Sequence, residues 1–461
     1  MKISFEFQVS SSEFSLATRY SLLAYHAMSL STIQNKITQY ILASLDRVTR
    51  DWLLVSGGHV LRMALGLIPS VLIARSLGVA DFGVYGILAS VAGIVSVITD
   101  AGLTATASRQ INAVLPEATA EAQQWGRVFF WTRMILALVL LSAGFWLAGP
   151  LAQLLRLETT QAVLVLRLAL LGVGATTLSG TVTGLLQASR RFRQITQVIL
   201  TNAGLTALLA VALFLVGQLN LITALVVLGI GTSLVSFLLA RYFLPWPFDL
   251  AWPARAAWQV QGSQLIRFTG WVGLSNIFIV LTAQLDVILL NQWGTTATLG
   301  VYFLALNLIS KTNILNHSLY TVLLPTVSSL KTSVEYRAYI RQSGKRGLWI
   351  TLVLLPLLVI AGPFIGLAYG SEFAPAIPLF QWLLVILLFD VFTLPITWLV
   401  FPINRPYLLA MADGLRVAVL LAAAAWLIPL YGPMGMIAAK AGAKLIGFLF
   451  VLIALRRFKG I

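Results

Sequence analysis

Beyond residue 50 the chain is written in long apolar blocks, parted by short breaks of Gly, Pro and charge. A block of ~20 apolar residues is what a helix needs to cross the hydrocarbon of a bilayer. Counting blocks predicts twelve such spans: α1 (51–77), α2 (82–108), α3 (126–148), α4 (160–188), α5 (194–216) and α6 (221–244), then α7 (263–293), α8 (298–324), α9 (347–369), α10 (376–401), α11 (406–428) and α12 (434–455). The stretch from Trp52 to Arg109 organises the rest, because only a polar turn around 78–81 separates its two arms, as in a transmembrane hairpin. Both arms carry groups that lipid excludes, namely His59, Arg62, Asp100 and a run of Gly, Ser and Thr. Helix packing accounts for Gly57, Gly58 and Ser96. It accounts poorly for Arg62, so these helices are expected to line something wet.

Residues 1–50 are mixed, Ser-rich and without a long apolar run, and they lack the basic segment and compact apolar segment of a signal peptide. They are expected to form an N-terminal cytoplasmic extension, with 42–53 as an amphipathic lead-in to α1 and Met28 as an alternative start.

Composition narrows the class. Hydrophobic residues make up 59% and charged residues 10% of 461, and the mean hydropathy is +0.91. Soluble domains carry about 25% charge, so this is an integral membrane protein of the all-α class. With no cysteine there is no disulfide framework and no thiolate chemistry. The net charge of +16 does not point to nucleic acid, because the basic residues sit in the breaks between spans. Arg47, Arg109, Arg127, the Arg190–Arg193 run, Arg241, Arg255, Lys331, Arg337, Arg341, Arg405 and Arg456 all fall on one side. Opposite them are Arg75 and Arg156 against Asp81, Glu158 and Glu372. By the positive-inside rule the first side, with both termini, is cytoplasmic.

The halves repeat. Gly83-Val84-Tyr85 opens α2 and Gly300-Val301-Tyr302 opens α8, after turns differing by one residue. Six helices per half put both copies in one orientation, related by an axis along the membrane normal. The expected organisation is an extension (1–50), a first six-helix lobe (51–244), a cytoplasmic interfacial linker (245–262) and a second lobe (263–461).

Leu77-Gly78 followed by Asp81-Phe82-Gly83-Val84-Tyr85-Gly86 resembles the LG-x-x-x-[YF]G-x-[YF] turn of bacterial polysaccharide transporters. Asp100-Ala101-Gly102-Leu103 resembles their D-x-G-hydrophobic signature, and Gln284-Leu285-Asp286 with Gly300-Val301-Tyr302 resembles the second-lobe pattern. The chain is thereby similar to the Wzx-like O-antigen and exopolysaccharide flippases of the multidrug/oligosaccharidyl-lipid/polysaccharide exporter superfamily. That resemblance implies two lobes around a central cavity and alternating access. It also implies an undecaprenyl-pyrophosphate-linked sugar repeat unit as cargo, and a place in the bacterial inner membrane. It leaves open a proton or sodium as coupling ion and contact with a polysaccharide polymerase.

Ionisable groups lie deep in several spans: Arg62, Arg167, Asp286, Lys311, Asp390, Lys440 and Lys444, with Asp100 closing α2. Each charge would cost ~2.5–3.5 kcal/mol at the centre of a lipid-facing helix, so they should face a cavity or one another. Lys440 and Lys444 share one helical face, so something anionic or well hydrated must lie opposite. Basic groups outnumber acidic ones, and a cavity of that sign suits pyrophosphate. Several plainer readings stand beside this. Lys440 reaches the outer interface; Arg62 or Arg167 ties to Asp100 or another carboxylate; Asp286 is an ordinary interface residue; Asp390 pairs with Lys311 or senses a coupling ion. His59 and His317 read as packing residues, Asn276, Asn291, Asn307, Asn313 and Asn316 as helix glue, and Trp271 as a sugar-stacking group only if it faces the cavity.

No catalytic constellation, metal-ligand spacing or phosphate-binding loop is present, so no enzyme and no cofactor is implied. A cation-coupled multidrug exporter of the same superfamily is the alternative, although it should favour acidic groups in its lumen. A membrane-embedded polymerase or ligase would need a large outer loop, and the outward breaks here are short. The orientation is open to a direct test in this cysteine-free chain. Ala256→Cys should react only with thiol reagents that reach the cytoplasm, and labelling by an impermeant reagent from outside would overturn the topology.

Overall fold

The computed structural model describes residues 47–115, 119–157, 159–243, 248–312, 327, 333–400 and 407–459. The extension up to residue 46, with its Met28 start and the first five residues of its lead-in, lies outside the described residues, as do His317, Asn313, Asn316 and the side chain of Trp271.

Among the described residues every regular element is helical. Nine helices are long and apolar enough to cross a membrane. Two of these, Gly57–Val114 and Tyr407–Arg457, are of double length, and each holds two passes folded at a glycine. The helix Thr296–Thr312 supplies α8 as far as the described residues reach, which completes the series of twelve.

The α1–α2 turn is tighter than its polar composition suggests. The backbone leaves helical geometry only at Gly78 (φ 71°, ψ 177°), a left-handed φ that glycine adopts without a Cβ clash. Gly432 (φ 56°) does the same between α11 and α12. One expectation needs correction: α2 does not run unbroken from 82 to 108. It stops at Asp100, passes through Ala101 (φ 41°) and Gly102 (φ 82°), and resumes as Leu103–Val114. Apolar continuity hid the break, because both segments stay hydrophobic across it. Likewise α3 begins at Thr119 and α9 at Ser333, earlier than predicted, since their first turns are polar and project beyond the apolar span.

The core is unevenly distributed between the two ends of the bundle. One continuous buried cluster draws on both halves, from Ile73, Phe82 and Leu166 to Leu290, Tyr302, Phe373, Leu384 and Met436. All of these lie toward the Arg-poor ends of their helices. Phe82 is its hub, with ring centroids 5.3 Å from Phe303 and 5.8 Å from Phe373. At the Arg-rich end the buried residues separate. One cluster joins Leu103, Trp125 and Phe129 to Phe248, Ala257 and Leu265, and another joins Tyr336, Trp398, Leu408 and Leu455 of the second half alone. In lipid such clusters are held by close packing rather than by expulsion of water, so contact area matters more than hydrophobicity.

The two repeat glycines meet. A Cβ on Gly83 would run into the carbonyl oxygen of Thr296, and a Cβ on Gly300 into that of Val79. Thr296 precedes Gly300 by one turn, and Val79 precedes Gly83 by one turn, so the contact is reciprocal. Here α2 crosses α8 backbone against backbone, with no side chain between them. Both obstacles are helix carbonyls that cannot swing aside. Gly300→Ala should therefore cost about 1–3 kcal/mol of stability. Gly362→Ala, where nothing lies within 4 Å, should not. Thermal unfolding of the two variants in detergent checks this, and equal melting temperatures would refute the crossing.

Candidate functional site

Burying a charge costs several kcal/mol unless a partner and further hydrogen bonds offset it. The buried carboxylates obey this rule. Asp286 of α7 is fully buried (0%). Its Oδ1 accepts from the Val287 amide (2.9 Å), and its Oδ2 accepts from the Tyr302 hydroxyl (3.0 Å) and from Lys440 Nζ of α12. One helical turn along, Lys444 Nζ pairs with Asp390 of α10. The two lysines thus face two separate carboxylates, which resolves the like-charge conflict posed by their spacing. Asp390 takes Lys444, not Lys311, and Lys440 does not reach outward.

Asp100 pairs with Arg133 of α3 (3.0 Å), and Thr104 bridges them, donating to Asp100 (2.5 Å) and accepting from Arg133 (3.0 Å). Neither Arg62 nor Arg167 is its partner. Arg133 was missed by sequence reasoning, although an arginine well inside a predicted span was the available signal. Asp413 and Arg416 were missed for the same reason. They pair within α11 at 2.7 Å, and Asp413 also accepts from Ser275 of α7 at 2.7 Å.

Arg167 does not join the other cations. Its guanidinium lies 4.4 Å from the Phe145 ring centroid, and its Nε donates to the Phe145 carbonyl (3.3 Å) near the end of α3. A cation over an aromatic face beside a helix C-terminus is satisfied without an anion.

Arg62 and Lys311 remain. Among the described residues neither has a carboxylate partner. Arg62 lies exposed on α1 and Lys311 half-buried on α8, close enough for their charges to repel. Lys311 Nζ donates to Asn307 Oδ1 (2.7 Å), which also accepts from Ser70 Oγ (2.9 Å), and Ser70 Oγ meets the Tyr369 hydroxyl at 3.2 Å. This polar chain joins α1 of the first half to α8 and the end of α9 in the second. It fixes Lys311, and two cations, one from each half, stand without a carboxylate partner among the described residues. Among the described residues no group of His, Cys, Asp and Glu could hold a metal ion.

At the Arg-rich end the linker docks on α3. Arg127 pairs with Asp249 (2.5 Å), Trp131 Nε1 donates to the Leu250 carbonyl (3.1 Å), and Trp252 lies between Trp131 and Trp258, its ring tilted against both with centroids 4.8 and 5.8 Å away. The Ala251 amide and then Arg127 hold the Asp249 carboxyl below its ordinary pKa.

A family model described as "Polysaccharide biosynthesis protein" matches residues 48–331, well over half of the chain. The chain belongs to this polysaccharide biosynthesis family. No curated protein matches it. Solved structures show the fold. A multidrug resistance MATE transporter of the MOP superfamily in its inward-facing conformation is 15% identical, with a TM-score of 0.69 over 86% of this chain and 96% of that one. The lipid II flippase MurJ in an inward closed conformation is 13% identical, with a TM-score of 0.66 over 88% and 87%. An outward-facing MATE transporter of the same superfamily is also 15% identical but has a TM-score of 0.56 over 91% and 98%. The family member described here is thus an all-α membrane protein of two six-helix lobes around a central cavity.

The paired and unpaired cations should behave oppositely. Asp286→Asn strands Lys440 in a dry site and should cost about 3–5 kcal/mol, whereas Asp286→Leu with Lys440→Met should recover most of that loss. A double-mutant cycle of Asp286→Leu, Lys440→Met and the two combined, on unfolding midpoints, measures the coupling; additive losses would mean that the pair is not formed.

Proposed function

We propose that the protein flips undecaprenyl-pyrophosphate-linked oligosaccharide repeat units across the bacterial inner membrane by alternating access, for O-antigen or exopolysaccharide synthesis. The observation that carries this reading is the Arg62–Lys311 pair of cations, which no described carboxylate neutralises. A pyrophosphate crossing near the midplane must shed water, and an unpaired anion there is prohibitively costly. Two positive groups, one from each lobe, offset that cost and release it again when the lobes part. The family description supports the polysaccharide side of the reading, and the Arg-rich end is taken as cytoplasmic. An organic cation would be repelled from the same position, which argues against the multidrug-export alternative despite the shared fold. In this reading Lys440 and Lys444, already engaged, shape the second lobe instead of binding cargo, and Asp286 and Asp390 are their counter-charges.

Arginine grips phosphate through two parallel hydrogen bonds, whereas lysine acts as a point charge. Arg62→Lys should therefore impair surface display of polymer more than Lys311→Arg does. Lys311→Gln should lower transport about tenfold or more, the value of one charge-assisted hydrogen bond, without lowering the melting temperature. A Gln variant that is unstable yet active once expressed would make Lys311 a structural tie and sink the cationic site.

A further inference from the structure

The end at which the two halves close is held by polar contacts as well as by aromatic packing, and those contacts follow the internal repeat. Aligning Gly83-Val84-Tyr85 with Gly300-Val301-Tyr302, and allowing for the one extra residue in the second turn, sets Arg75 at the end of α1 against Asn291 at the end of α7. Arg75 Nη2 donates to the Leu367 carbonyl (2.5 Å), in the last turn of the helix Leu357–Ala368. Asn291 Nδ2 donates to the Leu155 carbonyl (2.5 Å), which caps the short helix Ala148–Leu154. Each donor therefore reaches into the opposite half, and each acceptor is a C-terminal carbonyl that its own helix leaves unsatisfied. The Asn291 side is reinforced by Gln292, whose Nε2 donates to the Leu154 carbonyl (3.0 Å) and whose carbonyl accepts from Arg156 Nη1 (2.7 Å).

We propose that Arg75 and Asn291 form a two-point latch between the lobes at the Arg-poor face, and that its release sets how readily this face opens. The inference rests on the alternating-access reading above. Because both acceptors are backbone carbonyls, the latch depends on the donor side chains alone. It would tolerate sequence change at Leu155 and Leu367 but not loss of the donors. Arg75 sits exposed at the rim and Asn291 is buried, so the arginine releases first, and the amide cluster behind it sets the remaining resistance.

The absence of native cysteine allows spin labels at Thr160 and Glu372, exposed residues at the same face in opposite halves, with a second pair at Gln187 and Ala338 at the Arg-rich face. Pulsed electron–electron distance measurements in lipid nanodiscs should give one short outer distance for the otherwise native protein. Arg75→Ala should raise the ratio of long to short outer distances about tenfold, the worth of one charge-assisted hydrogen bond. Asn291→Ala should add to it, with the inner pair shortening in step, and Arg75→Lys should restore most of the short population. Gln218→Ala, at the same face but bonded through its backbone within its own half, should leave the distances alone. Should Asn291→Ala fail to fold, Gln292→Ala removes a contact of the same cluster from a less buried position. Unchanged outer distances in the Arg75→Ala protein and in its combination with either amide variant would overturn the latch, even where polymer display continues. If instead the distances respond as expected while no variant, nor the native protein, restores polymer display to a flippase-deficient strain, the latch stands and the cargo assignment fails.

Discussion

The fold hangs on a place where two backbones touch. Gly83 and Gly300 let α2 and α8 approach until each helix faces the other's carbonyls, and no other residue type would permit it. Small residues are the usual means of close helix association in lipid, where there is no water to drive side chains together. The same crossing brings Phe82 beside Phe303 and sets Ser70 against Asn307 across the junction. Moving the lobes therefore means working around this contact, and the polar chain that positions Lys311 is tied to it.

Electrostatics then sorts the charged residues into two populations. Where a carboxylate from another helix is within reach, as at Asp286, Asp390 and Asp100, the cation is neutralised and becomes structural. Arg167 achieves the same end with a ring and a carbonyl. Lys311 escapes this sorting because the group it bonds is a neutral amide, which orients a charge but does not cancel it, and Arg62 has no carboxylate partner among the described residues. In the proposed reading, an anion site is what remains once the neighbouring deep charges have found their partners.

Much of the architecture was legible from residue order. The apolar blocks gave the spans, Gly78 marked the hairpin, and the two copies of Gly-Val-Tyr marked the place where α2 and α8 meet. The pairing of charges was not legible, because it depends on which helix faces which. Lys440 and Lys444 read as a cationic stripe until α7 and α10 are set opposite them. The break at Ala101-Gly102 was hidden by hydrophobic residues on both sides, and Arg133 was overlooked within an otherwise ordinary span. Sequence periodicity reports what a helix is made of, whereas site chemistry depends on neighbours hundreds of residues away.

The reach of α7 into the first half bears on how the protein is made. Leu265 is fully buried in a cluster otherwise formed by α2, α3, α4 and the linker, Thr269 meets Thr106 at 3.2 Å, and Gly273 lies against the Ala101 carbonyl at the break in α2. During synthesis the first six spans emerge without these contacts, leaving the Arg-rich ends of α2 and α3 unsealed until the seventh has been inserted. The ribosome must then deliver half of the second repeat's opening hairpin before the first repeat can settle. Assembly of the two halves is thus interleaved in time, although they are successive in sequence.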